Sequence, residues 1–72
     1  MFSLIALQDA LIERFNEIEW NGVGEHKRRS RGRAMNKAIQ QLVDQGYDKR
    51  SAEKIVEDAY DVWRLQQVCD AA

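Results

Sequence analysis

The chain has no proline, one cysteine, one histidine and only four glycines in 72 residues. Without proline nothing forces a helix to stop or a strand to an edge, so every interruption must come from glycine and polar residues. The lone Cys69 cannot form an internal disulfide, and a core this small must be supported by helix packing or by a partner. Cys69 and His26 cannot complete a four-ligand zinc site, and nothing marks them as a nucleophile pair. No apolar run approaches the roughly 18–20 residues that span a bilayer, and no positive stretch precedes the first hydrophobic residues as in a secretion signal. A cytoplasmic protein with no membrane segment is the resulting expectation. Gly22, Gly24 and Gly32 make no phosphate cradle, because no strand precedes them and no Gly-Lys-Ser/Thr follows. The carboxylates fall on exposed helical faces, where no burial tunes them as acid and base. The sequence therefore predicts no enzyme, no metal and no cofactor.

What is present reads as one globular domain. Hydrophobic residues make up 44% and charged residues 32% of the chain, too apolar a mixture for a disordered tail. At this length folding hides only about 60% of the surface that the unfolded chain exposes.

The apolar spacing is helical throughout. Leu4, Leu7, Leu11, Phe15 and Ile18 recur at three- and four-residue steps, widened by Ile5 and Ile12, with Asp9, Glu13, Asn16 and Glu17 opposite. Ser3 is a suitable N-cap, with Phe2 placed to staple onto the first turn. The pattern stops at Trp20, before Asn21-Gly22-Val23-Gly24. A second stripe, Met35, Ala38, Ile39, Leu42 and Val43, ends at Gly46, which can take the left-handed conformation that closes a helix, with Tyr47 folding back. Asp48 then caps a third stripe, Ala52, Ile55, Val56, Ala59, Val62, Trp63 and Leu65, running towards Val68. The expected fold is a compact all-α three-helix domain with helices over residues 3–20, 32–45 and 49–68, and a basic loop between the first two.

The charges are segregated although their total is only −1. Residues 1–20 hold one positive and four negatives, net −3; residues 21–37 hold six positives and one negative, net +5; residues 38–72 hold four positives and seven negatives, net −3. Such local fields, rather than totals, steer partners. Lys27, Arg28, Arg29, Arg31 and Arg33 invite a nucleic-acid reading, because guanidinium groups neutralise phosphates and release counterions. No aromatic lies between Trp20 and Tyr47 to stack a base, and the alternative is that these cations pair with the acidic helices on either side. The Gly46 turn loosely copies a helix-turn-helix unit. Its second helix, however, would bring Glu53, Glu57, Asp58 and Asp61 towards the phosphates, a poor major-groove reader.

Two acidic stripes stand out, Asp9, Glu13 and Glu17, and Glu53, Glu57 and Asp61, each at i, i+4, i+8. Like charges so stacked cost a few tenths of a kcal/mol per pair in an isolated helix. Either the arginine segment lies across them, or they are solvated, or they face a basic surface on a partner. Trp63 and Phe15 are expected in the core. Trp20 and Tyr60 are candidate surface anchors, since tryptophan and tyrosine dominate binding hot spots.

The stretch Ile39–Val56, with Leu42, Val43, Gly46-Tyr47, Asp48, Ala52 and Ile55-Val56, resembles the loop-and-helix signature of ubiquitin-associated domains. In that family a glycine-aromatic pair closes one helix and a capped helix with a small residue follows. The resemblance implies a compact three-helix arrangement. It covers under a third of the chain, and the long first helix and basic insert depart from the family pattern, so no ubiquitin-binding residue carries over.

The functional expectation is a small non-enzymatic protein that regulates or inhibits a larger protein machine, of the phage or plasmid accessory and anti-defence type. Glu53, Glu57, Tyr60, Asp61 and Trp20 would meet the protein partner. One alternative is a nucleic-acid-binding regulator using Lys27, Arg28, Arg29, Arg31 and Arg33. Another is a self-associating structural subunit, for which a homodimer would enlarge the small core.

Overall fold

Ser3 opens the first helix as its position suggests: its hydroxyl accepts from the Ala6 N–H at 3.3 Å, satisfying one of the unpaired donors of the first turn. The structure, a computed structural model, describes residues 2–71, and side chains over residues 2–68. The side chain of Cys69 lies outside the described residues. Three helices, α1 (Leu4–Asn21), α2 (Glu25–Asp44) and α3 (Lys49–Ala71), make an all-α three-helix domain with no strand among the described residues.

Both connections are short and specified by their residues. At the α1–α2 turn the Gly22 N–H returns to the Ile18 carbonyl at 2.7 Å. A Cβ at Gly22 would stand 2.5 Å from that carbonyl oxygen and 2.7 Å from Cγ of Lys27, so the close approach requires glycine. At the end of α2, Gly46 takes φ +105°, and the N–H groups of Gly46 and Tyr47 close on the Val43 and Leu42 carbonyls at 3.0 and 3.1 Å, a Schellman cap. The Tyr47 ring lies beside Phe2, which precedes α1, with centroids 6.3 Å apart. Asp48 then caps α3, its carboxylate accepting from the Ser51 N–H at 3.2 Å. The Ser51 hydroxyl and backbone N–H beside Asp48 hold its carboxyl below the usual value of 3.8, as hydrogen bonds to the charged form do.

The segment expected as a basic loop is instead helix. Only Gly22–Gly24 separate α1 from α2, and all five cations of residues 27–33 lie in the first three turns of α2. Lysine and arginine are good helix formers, and Gly32 costs only about 1 kcal/mol inside a helix. The register is set by side chains an apolar pattern does not count. Lys27 and Arg31, one turn apart, face inward: Nζ of Lys27 donates to Glu19 at 3.2 Å, and the Arg31 guanidinium lies 3.7 Å from Glu19 and 5.5 Å over the Trp63 ring. Their aliphatic stems continue the buried stripe that Ala38 and Leu42 begin.

Each helix contributes one large side chain with essentially no exposure: Phe15 from α1, Leu42 from α2 and Val56 from α3. Leu11, Ala38, Ala52, Ala59 and Trp63 complete the cluster, the alanines letting the helices approach closely. Phe15 meets Tyr60 edge-on at 5.7 Å and Trp63 at 5.5 Å. The Trp63 indole N–H donates to Asn16 Oδ1 at 3.0 Å, which ties α3 to α1 across the core edge. Leu4, Leu7, Ile12, Met35, Ile39 and Ile55 pack half-buried against this centre. Ile5, Val62, Leu65 and Val68, expected in the stripes, face outward instead.

Candidate functional site

Helical geometry turns the linear arginine run into two sets. Lys27 and Arg31 are spent inside the fold on Glu19 and Trp63. Arg28, Arg29 and Arg33 are exposed, and among the described residues they make no ion pair. Lys37, also exposed, joins Arg29 and Arg33 at i, i+4, i+8, so α2 presents a basic ridge along its outer side. Lys37 lies within the helix expected over 32–45 but not among the five candidate cations, and its four-residue spacing from Arg33 is the signal that adds it.

The acidic stripes are not covered by that segment, which takes only Glu19 from α1. Asp9, Glu13 and Glu17 all face solvent, with Arg14 bonded to Glu17 at 3.0 Å between two well exposed side chains. Trp20 follows Glu17 by three residues and Glu13 by seven, so it stands on the same side of α1, where it is 88% exposed. Glu53, Glu57 and Asp61 are likewise exposed along α3. Their stripe runs on into Leu65 and Val68, which are 65% and 68% exposed.

The five residues expected to meet a protein partner do not form one patch. Trp20 belongs with the α1 stripe, not with Glu53, Glu57 and Asp61. Tyr60 is no free anchor: it is half-buried, wedged against Phe15 and Trp63, with the Arg64 guanidinium 5.9 Å over its ring. The outer side of each helix thus carries three like charges in register, acidic on α1, basic on α2 and acidic on α3.

Between α1 and α2 runs a groove of about 420 Å³. Leu7, Ala10, Leu11, Ala34 and Ala38 give it an apolar lining, and Arg14, Arg33 and Lys37 stand among its walls. A smaller hollow of about 320 Å³ lies between α2 and α3, with Lys49, Glu53 and Glu57 beside Met35 and Ile39. Among the described residues no group of three or more His, Cys, Asp or Glu could hold a metal ion, and no helix is long and apolar enough to cross a membrane. His26 is exposed on the first turn of α2.

Comparison of the chain with family models, with curated proteins and with solved structures found no match. The likeness of Ile39–Val56 to ubiquitin-associated domains is carried by the Gly46 turn and the helix capped after it.

Proposed function

We propose that the chain is a small non-enzymatic binding protein that engages a protein partner through the outer side of α1. Trp20 is its anchor, and Asp9, Glu13 and Glu17 steer a partner of basic surface. The observation that carries this reading is the 88% exposure of a tryptophan on a regular helix, in line with three exposed carboxylates. An indole left in water forfeits the gain of about 1.5–3 kcal/mol that burying a large apolar side chain brings, which a contact there would recover. Aromatic anchors ringed by polar groups are the usual hot-spot arrangement, and the surrounding charge sets encounter rate and partner choice. The α3 stripe is the weaker surface, because leucine and valine, which end it, are under-represented among hot spots.

A second reading has an observation of its own. The α2 ridge of Arg29, Arg33 and Lys37, with Arg28 beside it, would suit a phosphate backbone, and the acidic stripes stand on other helices. Affinity capture from a lysate with and without nuclease separates the two. The leading reading expects a protein that survives nuclease and disappears with Trp20→Ala. Capture that nuclease abolishes, and that Arg29→Ala/Arg33→Ala removes, would replace it with the nucleic-acid reading.

A further inference from the structure

We infer that the partner of the α1 face is the α1–α2 groove of a second copy of this chain. This inference rests on the function proposed for that face. The molecule carries both halves of the contact. On the giving side, Glu13 and Glu17 stand one turn apart, about 6 Å along the helix, and Trp20 follows three residues on. On the receiving side, Arg33 and Lys37 stand one turn apart on the wall of a groove floored by Leu7, Leu11 and Ala38. With the incoming α1 parallel to α2, Glu13 meets Arg33 and Glu17 meets Lys37. That register carries Trp20 past Lys37, over the apolar floor. A hollow of about 420 Å³ is within the size of sites that bury whole small ligands, about 300–1,000 Å³, and takes an indole.

The charge already sitting in the groove does not block this. Arg14 bonds Glu17 of its own chain at 3.0 Å, but both side chains are 61% exposed, and a pair so open to water contributes little and exchanges readily. The near-zero total charge of −1 removes the long-range repulsion that keeps strongly charged copies apart, while the separated faces attract. Face and groove are different surfaces, so the contact is head-to-tail, and it adds copies in a row unless the rotation closes a ring.

The test is molar mass by light scattering as the purified chain is concentrated at low salt. The wild type is expected to grow beyond a dimer, and to return towards monomer as salt is raised. Glu13→Lys/Glu17→Lys places cations against the cationic groove, and Arg33→Glu/Lys37→Glu places carboxylates against the acidic face. Each should remain monomeric alone, with association weakened on the order of a hundredfold or more, since like-charge juxtaposition is strongly penalised. Mixed together, the two variants regain complementary faces and growth should return. All four positions are exposed, so unchanged circular dichroism would certify the fold of each variant. A wild type that stays monomeric at every concentration overturns the inference, as does a mixture that fails to rescue. If the chain is monomeric while capture of another protein still depends on Trp20, the inference falls and the proposed function stands. If the wild type associates but Trp20→Ala associates equally well, Trp20 does not enter the groove and the inference is overturned.

Discussion

Replacing Gly32 gives opposite results depending on whether the basic segment is helix or loop. Gly32 lies well inside α2, and a Cβ built on it meets no heavy atom within 4 Å. Alanine there should therefore stabilise the protein by about 1 kcal/mol, the helix-propensity difference, with no steric cost. For a domain of this size that corresponds to a rise in Tm of roughly 4–8 °C. Proline at the same position removes the bond from the residue 32 N–H to the carbonyl four residues earlier and clashes with that carbonyl, costing about 3 kcal/mol or more. The two variants should thus differ by about 4 kcal/mol in urea unfolding followed by circular dichroism, with an unchanged m-value. In a loop both substitutions would be tolerated, each restricting the unfolded chain and shifting stability by less than about 1 kcal/mol. A Gly32→Pro protein as stable as the wild type would refute a helical basic segment, and with it the sorting of cations into inward and outward sets.

Other substitutions probe the remaining features. Leu42→Ala empties a fully buried position and should cost about 2–5 kcal/mol by denaturant melt. The whole fold is worth about 4–11 kcal/mol at the usual stability per residue, so this variant should sit near the edge of folding. Gly46→Ala forces a side chain into φ +105° and should lower stability by about 1–2 kcal/mol in the same assay. The lowered Asp48 pKa gives a definite sign: the folded carboxyl holds its proton less tightly than the unfolded one, so its contribution is complete above pH about 4 and is lost as pH falls through the lowered value, below 3.8. The difference in urea midpoint between wild type and Asp48→Ala should accordingly be largest near neutral pH and shrink below 3.8.

The three-helix architecture was legible because its stops are chemically unambiguous. Ser3, Gly46 and Asp48 occupy the cap positions their side chains predict, and Phe15, Leu42, Val56 and Trp63 keep helical spacing. The start of α2 was hidden for two physical reasons. Cations near a helix N-terminus oppose the macrodipole, and Gly32 interrupts the propensity, so local rules argue for a loop. What overrides them is tertiary: Glu19 on α1 and Trp63 on α3 supply Lys27 and Arg31 with partners distant in sequence. Tyr60 borders the core stripe, and only the Phe15 and Trp63 rings decide that it turns inward. Trp20 is a surface candidate from the sequence, and its three-residue spacing from Glu17 ties it to the carboxylates of α1.

The central claim, that Trp20 is the anchor of a recognition face, is tested most directly by fluorine NMR on fluorotryptophan-labelled chain. The chain has two tryptophans, one exposed at residue 20 and one buried at residue 63, so it gives two resonances that a Trp20→Phe variant assigns. On addition of unlabelled binding partner, whether captured protein or excess unlabelled chain, the Trp20 resonance should shift and broaden while that of Trp63 holds still. A partner that binds and leaves the Trp20 resonance where it was would contradict the account.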